Sequence, residues 1–407
     1  MKIRKFLALL MLFALILTGC GKDAATEKEP AQADTEINVN FVVYNSADAD
    51  LNTQQAALCL QTAIQQNARL TLTAVTDKPA KNYIEVKVDD SLTAGEYKLR
   101  SYGDHIVLSA SDSYTLVCAA RDIRQKWIAA EGAFSGGKAI LTAEQGTSFS
   151  GAYNRENMPF LIMSQNILFV DYDSPNSLQE RSERFKKLLQ EYQPDVIGFQ
   201  EFGESNFSYM EYMVQTYGRI GGESESNPIM YRKDRYTVVE QGKFWLSDTP
   251  DTPSRYEGVG SNRYCMWVVL EDKITGQKIQ VTNTHLCWEG EDNEMRLKQI
   301  QVLLDYMKDR LDQYPTFMTG DYNSYVDGPV YDAVLDTGKK DPQLTAKVNL
   351  STIDYTCGFF NKNEHKRIDF CFYNDQSVAL EYKILNDMYS GYISDHYAII
   401  TKFELNK

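Results

Sequence analysis

The chain has 407 residues, enough for two domains or for one large domain with an appendage. Hydrophobic residues make up 43% and charged residues 24%, which is the balance of an ordinary globular protein. The formal net charge of -14 argues against passive electrostatic capture of nucleic acid, because non-specific affinity for nucleic acid comes from Lys and Arg. A nuclease with a locally basic groove remains compatible with that charge.

The first twenty residues predict the cellular compartment of the protein. A basic start, Lys2-Ile3-Arg4-Lys5, is followed by an apolar run over residues 6–17 that is too short to span a bilayer comfortably. This is the plan of an export signal. Because it ends in Leu17-Thr18-Gly19-Cys20, which looks like a bacterial lipobox, we expect 1–20 to be a lipoprotein signal peptide and Cys20 to carry the lipid anchor. A short membrane anchor and a soluble secreted protein are the alternatives.

Two segments with no catalytic pattern come next. Residues 21–36 are polar, charged and rich in Ala, which predicts a flexible tether. Residues 37–151 alternate between strand-like and helical stretches and predict a small α+β accessory domain. Its pattern resembles the α+β domain that precedes the catalytic domain in some bacterial glycoside hydrolases. His105 is expected to be a surface strand residue of this domain.

The cysteines show no metal-binding pattern. Six remain besides Cys20, and no two of them have the spacing of zinc ligands. Because an exported protein can form disulfides, two possibilities stay open for Cys59 and Cys118: a disulfide between them, or burial of both as small apolar side chains.

After residue 158 the pattern changes to apolar strands and amphipathic helices. Ser177 and Glu180 have the spacing of a capping box, which predicts a helix that ends before Pro194. Strand–helix–strand units occur twice, and in sheets with helical crossovers the strand ends are where sites are built. The polar residues at these strand ends are Asn166, Glu201, His285 and Asp321.

The most informative stretch runs from Phe317 to Ser324, where an apolar strand stops at a glycine and presents Asp321 and Asn323. Residues two apart in extended backbone share a face, so these two side chains point at one spot. A carboxylate that orients or deprotonates a water, beside an amide that bonds a reacting oxygen, suits hydrolysis at an electron-poor centre. Taken alone, the stretch also fits an ordinary turn, because Gly and Asp favour turns.

Three more candidates follow towards the end of the chain: Asp369, Asp395 and His396. The carboxylates and amides together form a set of hard oxygen ligands, which favours Mg²⁺ or Mn²⁺ over zinc. No serine or cysteine stands in the sequence context of a nucleophile, so the set does not indicate a nucleophile triad.

Six short motifs in a specific order make residues 158–405 resemble the endonuclease/exonuclease/phosphatase superfamily, whose members share the DNase I-like fold. The resemblance implies a four-layered α/β sandwich, in which two mixed β-sheets pack face to face with helices outside. The motifs are Ser164-Gln165-Asn166-Ile167, Pro194-Asp195-Val196-Ile197-Gly198-Phe199-Gln200-Glu201, Asn283-Thr284-His285-Leu286, Gly320-Asp321-Tyr322-Asn323, Arg367-Ile368-Asp369-Phe370 and Ser394-Asp395-His396.

The resemblance also implies roles for the catalytic side chains. Asp321 would orient or deprotonate the attacking water, and Asn323 would bond the phosphoryl oxygen. His396, held and charged by Asp369, would act as the base or stabilise the transition state. His285 would protonate the leaving oxygen. Whether Asp321 or His396 is the base stays open.

A metal site is implied by the same resemblance. Glu201 would be the principal ligand of Mg²⁺, with Mn²⁺ as a substitute, and Asn166 and Asp395 would lie near the ion. A phosphoester needs such an ion to neutralise developing charge, together with an in-line water and a proton donor for the leaving group.

One departure from the family pattern lies next to His285. Many relatives continue with a polar or acidic residue after Asn283-Thr284-His285-Leu286, whereas this chain has Cys287-Trp288. Trp288 would either stack on a base or sugar, cover a lipid headgroup, or pack in the core, and the sequence leaves these alternatives open.

The sequence therefore predicts a membrane-tethered, Mg²⁺-dependent phosphoester hydrolase on the extracytoplasmic face of the membrane. Its expected partners are the membrane, through the N-terminal lipid, and a phosphoester substrate that is a lipid headgroup, a nucleic acid or a phosphorylated glycan. No protein partner is predicted. The alternative is a catalytically silent lipoprotein that binds a glycan or a surface with the same fold, and the complete motif set counts against it.

Overall fold

The computed structural model describes residues 30–406 except 69, 130–133, 136–137, 144–150, 153–157, 274, 290–292, 359–364 and 388. The predicted signal peptide, Cys20 and most of the predicted tether lie outside the described residues. Within the described part of the chain, no helix is both long enough and apolar enough to cross a bilayer.

Residues 35–152 build a small α+β unit. Its elements are β1 (Thr35–Ile37), β2 (Val42–Tyr44), α1 (Leu51–Ala68), β3 (Thr73–Val75), β4 (Tyr83–Val88), β5 (Glu96–Ser101), β6 (His105–Ala110), α2 (Ser113–Ala129), β7 (Phe134–Ser135), β8 (Lys138–Leu141) and β9 (Gly151–Ala152). Six strands form one sheet in the order β3-β2-β4-β6-β5-β9, and β1, β8 and β7 form a separate sheet.

The core of this unit lies on one face of the six-stranded sheet. Leu60 of α1 and Leu116 of α2 share an apolar cluster with Ile84, Leu99 and Leu108 of the sheet. The inward residues of β5 and β6 alternate with more exposed ones, as expected for a sheet buried on one side. No disulfide joins Cys59 and Cys118, and both side chains are buried, which agrees with the second possibility considered above.

The rest of the chain is rich in long strands. Its strands are β10 (Phe160–Asn166), β11 (Val196–Gln200), β12 (Tyr217–Ile220), β13 (Ile229–Arg232), β14 (Tyr236–Trp245), β15 (Tyr264–Asp272), β16 (Lys278–His285), β17 (Thr316–Asp321), β18 (Val348–Asn349), β19 (Asp369–Tyr373), β20 (Ser377–Leu385) and β21 (Ala398–Leu405). Its helices are α3 (Leu178–Tyr192), α4 (Glu204–Tyr209), α5 (Glu294–Met307), α6 (Pro329–Leu335) and α7 (Pro342–Thr345), with a 3-10 helix at Glu211–Gln215.

These elements form four layers. The seven-stranded sheet has the order β12-β13-β11-β10-β21-β20-β18, and the five-stranded sheet has the order β14-β15-β16-β17-β19. Side chains from both sheets fill the space between them, and the ring centroids of Phe160 and Phe317 lie 5.4 Å apart there. Phe185 of α3 packs on the outer face of the first sheet, and Ile300 of α5 packs on the outer face of the second. The predicted four-layered α/β sandwich with two mixed sheets is confirmed.

The capping signals of α3 work as the sequence indicates. The Ser177 hydroxyl accepts a hydrogen bond from the Glu180 backbone N–H at 3.3 Å, and the Glu180 carboxylate accepts one from the Ser177 N–H at 3.2 Å. The helix ends at Tyr192, and the residue that caps it, Gln193, has a left-handed backbone (φ 44°) and precedes Pro194. Helix α3 therefore starts and stops where it can connect two neighbouring parallel strands, β10 and β11.

A buried charge network joins the α+β unit to the sandwich. Asp195, the residue before β11, receives a hydrogen bond from the Tyr114 hydroxyl of α2 at 3.2 Å. Its carboxylate lies 3.6 Å from a guanidinium nitrogen of Arg121, also in α2, and 3.2 Å from one of Arg235. Burial raises the pKa of Asp195, but the arginine charges outweigh burial and hold its pKa below the usual value. The network therefore ties α2 to the base of the strand that leads to Glu201.

Candidate active site

Strand ends from both sheets meet at one edge of the sandwich. Strands β10 and β11 run parallel, so Glu201, directly after β11, comes next to Asn166 at the end of β10. Strands β16 and β17 also run parallel and place His285 opposite Asp321. Strand β19 is antiparallel to β17 and begins with Asp369 opposite Asp321. Residues that are distant in sequence therefore share one corner because the strands carrying them run in matched directions.

Asp321 lies at the centre of this cluster and is almost fully buried, with 1% of its surface exposed. The Asn166 side-chain amide donates to the Asp321 carboxylate at 3.0 Å and to the Glu201 carboxylate at 3.2 Å, so it bridges the two acids. The Nε2 atoms of His285 and His396 lie 3.6 Å and 3.8 Å from Asp321 Oδ2. The predicted site residue Asp321 is thus surrounded by four others: Asn166, Glu201, His285 and His396.

His396 belongs to a hydrogen-bonded relay. Its Nδ1 lies 2.8 Å from Asp369 Oδ2, which leaves Nε2 to face Asp321. Burial lowers the pKa of His396, but the Asp369 charge and hydrogen bond outweigh burial and raise the pKa well above the usual value. Burial and the nearby Asp369 charge raise the pKa of Asp321 to about 7. The relay therefore combines a charged imidazole with a carboxyl group whose pKa is close to neutral.

His285 sits in a different electrostatic environment. Burial, followed by the positive charges of Arg263 and His396, lowers its pKa well below the usual value. A neutral imidazole can still donate one hydrogen bond to an oxygen. Its predicted role as the proton donor to a leaving oxygen stays a prediction.

Asn323 is held in place by its backbone and its amide. Its N–H donates to Asp321 Oδ1 at 2.9 Å, and its side-chain nitrogen donates to the Leu286 carbonyl at 3.0 Å. Both Asn323 (φ 47°) and Glu201 (φ 55°) have left-handed backbones, which non-glycine residues adopt at a cost. Two strained residues at one site indicate that the surrounding structure fixes their side-chain directions.

Asp395 lies beside this cluster and outside its hydrogen bonds. Its carboxylate accepts from the Ser394 hydroxyl at 3.2 Å, and its charge raises the pKa of Arg181 against a larger lowering by burial. Arg181 is buried and donates to the Ile167 and Leu168 carbonyls at 2.8 Å and 3.0 Å, just after Asn166. No hydrogen bond or ion pair within the described part of the chain links Asp395 to Asn166 or Glu201.

The donor set fits a divalent cation. Glu201 and Asp321 are two carboxylates that share one neutral amide donor, and Asp369 Oδ1 is a buried oxygen without a hydrogen-bond partner among the described residues. Ligand atoms of Asp321, Asp369 and His396 lie within 4.8 Å of one another, but only the two acids are suited to a cation, because His396 is kept charged by Asp369. Uncompensated carboxylate oxygens in a buried site favour a hard cation such as Mg²⁺ or Mn²⁺.

Several residues that support the site were missed by the sequence analysis. Arg263, just before β15, is half-buried and its Nε has no hydrogen-bond partner among the described residues, although its charge acts on His285. Arg296 of α5 is buried, and its guanidinium lies 3.4 Å from both the Cys287 and Trp288 carbonyls. Arg296 lies one helical turn before the buried Ile300, so its position on the apolar face of α5 was the sequence signal that could have identified it.

Exposed aromatic side chains follow the site residues in sequence. Trp288, three residues after His285, is 69% exposed, so the core-packing interpretation of this residue is wrong. Phe169 is 57% exposed, and its backbone N–H lies 3.4 Å from Glu201 Oε2. Tyr325, two residues after Asn323, is 46% exposed. Large apolar side chains in solvent next to a polar cluster are typical of a ligand-binding rim.

Comparison with solved structures shows that the fold occurs in other proteins. An endonuclease/exonuclease/phosphatase from Bacteroides vulgatus is 26% identical and covers 61% of this chain and 100% of its own, with a TM-score of 0.56. A mannosyl-6-phosphatase from Bacteroides thetaiotaomicron is 24% identical and covers 60% of this chain and 99% of its own, with a TM-score of 0.54.

A curated relative covers a similar share of the chain. The CCR4-Not complex 3'-5'-exoribonuclease subunit Ccr4 of Kluyveromyces lactis is 21% identical over 61% of this chain, which spans 41% of that relative. The chain thus matches less than half the length of this relative. The model of the Endonuclease/Exonuclease/phosphatase family matches residues 163–396, more than half of the chain. The chain belongs to the Endonuclease/Exonuclease/phosphatase family.

Proposed function

We propose that the protein is a phosphoester hydrolase that depends on a divalent cation, Mg²⁺ or Mn²⁺. The observation that carries this proposal is the placement of Asn166, Glu201, His285 and His396 around the buried carboxyl group of Asp321. Hydrolysis of a phosphoester needs an oriented water, charge stabilisation and a proton donor in one place, and this cluster contains candidate groups for each.

Three residues of this chain would hold the cation. Glu201 and Asn166 lie beside Asp321, and Asp395 completes the predicted set from the neighbouring loop. A bound divalent cation supplies positive charge that stabilises the phosphoryl oxygens in the transition state.

The proton-transfer roles follow from the charge states. His396, kept cationic by Asp369, is poorly suited to accept a proton at neutral pH and well suited to stabilise negative charge. Asp321, whose pKa is raised to about 7, is well matched to take a proton from water near neutral pH. This difference favours Asp321 over His396 as the base. Asn323 would position the phosphoryl oxygen, and His285 would contact the leaving oxygen.

The substrate would be a lipid headgroup, a nucleic acid or a phosphorylated glycan. Two related proteins act on different members of this set by name, a mannosyl-6-phosphatase and an exoribonuclease subunit. The exposed rings of Trp288 and Phe169 support a substrate that carries a base or a sugar ring, because such groups stack on aromatic faces. Lipidation of Cys20 would place the enzyme at the extracytoplasmic face of a membrane, as a membrane-anchored lipoprotein.

The test is a hydrolysis assay with matched DNA, RNA, sphingomyelin, phosphatidylinositol and sugar-phosphate substrates. We expect turnover of one class in Mg²⁺, loss of turnover in a metal chelator, and recovery when Mg²⁺ or Mn²⁺ is added back. The control is the Asp321→Ala/His396→Ala double variant, which should be inactive. Full activity of that variant in chelator would contradict the mechanism. No turnover of any class, together with no Mg²⁺ binding by calorimetry, would favour the silent binding protein.

A further inference from the structure

The six-stranded sheet of the α+β unit has a second face that points away from the sandwich. Helices α1 and α2 cover its first face and also contact the sandwich, where the Gln55 amide donates to the Thr216 hydroxyl at 3.1 Å and Tyr114 bonds Asp195. The two helices therefore lie between this sheet and the catalytic sheets, which leaves the second face open to solvent.

This second face forms a walled cavity of about 550 Å³. Its floor consists of outward side chains of β4, β5 and β6, and its walls come from Pro30, Lys78 and the turn after β4 at Asp89 to Leu92. Ligand pockets in proteins have volumes of about 300–1,000 Å³. A cavity of this size on the outside of a sheet is more than the shallow surface that a plain solvent-facing sheet presents.

The cavity is locally basic in an acidic chain. Its lining contains Lys78, Lys87, Lys98 and Arg100 against two carboxylates, Glu85 and Asp89, whereas the chain as a whole carries a formal charge of -14. Lys78 pairs with Glu85 at 2.9 Å, and Lys98 pairs with Glu96 of the same strand at 2.9 Å, so these two lysines are already neutralised within the protein. Lys87 is exposed on the central strand β4, and its ammonium group makes no hydrogen bond or ion pair with any described residue, although its charge acts on Asp89. This charge pattern fits a ligand that carries acidic groups.

The rings of the cavity favour a hydroxyl-rich ligand over a nucleobase. His105 stacks between Tyr83 and Tyr102, with ring centroids 4.9 Å and 4.8 Å away. The Lys78 ammonium lies 5.4 Å from the centroid of Tyr83. Because both faces of His105 are covered within this stack, its ring is not a stacking platform, and the tyrosines add hydroxyl groups to the lining.

From these features we propose that the open face of the α+β unit is a binding site for an acidic oligosaccharide, one that carries carboxylate or sulfate groups on its sugar rings. Lys87 and Arg100 would contact the acidic groups, and the tyrosine hydroxyls and Ser109 would bond the sugar hydroxyls. This site is separate from the catalytic cluster. The proposal of oligosaccharide binding therefore does not depend on the proposed hydrolase activity.

The experiment is titration calorimetry of the full chain with an oligogalacturonate and a heparin-derived oligosaccharide. Neutral maltooligosaccharides of equal length, a single-stranded oligonucleotide and phosphatidylglycerol vesicles serve as comparison ligands. We expect saturable binding of at least one acidic oligosaccharide, no binding of the neutral one, and weaker binding at high salt because exposed charges are screened.

Two variants locate the site. Lys87→Gln and Arg100→Gln should each weaken oligosaccharide binding about tenfold, the effect of one charge-assisted contact. Lys81→Gln is the matched control, because Lys81 is an exposed lysine of the same unit outside the cavity lining. All three variants should keep the wild-type Tm and any phosphoesterase activity. Failure of both acidic oligosaccharides to bind would overturn the proposal. So would equal binding of the neutral oligosaccharide, binding only of the oligonucleotide or vesicles, or wild-type affinity in the Lys87 and Arg100 variants.

Discussion

At the scale of single residues, the site depends on how the protein distributes charge among groups that lie close together. Asp321 and Asp369 are both buried, yet only Asp369 has a direct hydrogen bond to His396. The two acids therefore stand in different surroundings: Asp369 is bonded to the imidazole, and Asp321 lies at the centre of the cluster. Two carboxyl groups in one pocket take different roles when their surroundings differ.

We predict that Asp369 and His396 behave as one functional unit. Asp369→Asn and His396→Gln should each lower kcat/KM by about 10²–10⁴-fold, the range for loss of a positioned acid or base. The kcat/KM of the double variant should be no lower than that of the less active single variant, because either change already disables the relay. Steady-state kinetics on the substrate found in the panel would measure this. Asp305→Asn, an exposed acid on α5, is the control, and losses that multiply in the double variant would contradict the prediction.

At the scale of elements, strand β11 connects the candidate active site at one end with the interface to the α+β unit at the other. Glu201 follows the strand at the site, and Asp195 precedes it at the interface with α2. The Asp195 carboxylate also accepts the Leu161 backbone N–H at 2.7 Å, which attaches it to β10. A single buried acid therefore links β10, β11 and helix α2.

We predict that Asp195 makes stability depend on pH in the acid range. Its pKa is lower in the folded state than its unfolded value of about 3.9, so the ionised form contributes stability above that value. This contribution should be lost progressively as the pH falls below about 4 towards the folded-state pKa. The measurement is the free energy of unfolding in urea across this pH range for the wild type and for Asp195→Asn.

The variant provides the contrast. Asp195→Asn should be less stable than the wild type at pH 7 by about 3–5 kcal/mol, because Arg121 and Arg235 lose their buried partner. The difference between the two proteins should narrow as the pH falls. If the difference in free energy of unfolding between the two proteins stays the same from pH 7 down to pH 2, Asp195 is not the source of the pH dependence of stability.

At the scale of the whole molecule, the α+β unit and the sandwich share a buried polar interface. Arg232 of β13 donates to the Asn52 side chain of α1, and Arg235 donates to the Tyr114 hydroxyl of α2. Both arginines are almost fully buried. Their charges pair with Asp234, Asp195 and Asp272 of the sandwich, and the helices supply further hydrogen-bond partners. Because buried polar groups that lose a hydrogen-bond partner are costly, part of the stability of the sandwich depends on these helices.

We therefore predict that the sandwich is less stable without the α+β unit. A variant that begins at Met158 should show a Tm about 10 °C lower than that of the full chain, which corresponds to about 3 kcal/mol in a domain of this size. Differential scanning calorimetry would measure it. An unchanged Tm after truncation would contradict a structural role for the interface.

The sequence by itself determined the strand-end positions of the site residues, and the resemblance of its six motifs to a known family implied the sandwich architecture. The sequence contains local signals: alternating apolar strands, the Ser177–Glu180 capping box and the order of the motifs. They can be recognised without knowledge of distant contacts. Placement of Asn166, Glu201, His285 and Asp321 at one corner followed from the rule for strand ends. The catalytic and metal-binding roles of these residues stay predictions.

Only the tertiary structure decided which groups are buried and which charges meet. The exposure of Trp288, the raised pKa of Asp321 and the lowered pKa of His285 depend on residues up to 155 positions apart, such as Asn166 and Asp321. The cavity on the open sheet face likewise requires Pro30, Lys78 and three strands to come together. Burial and electrostatic interaction are properties of distance in space, and a local sequence pattern does not contain that distance.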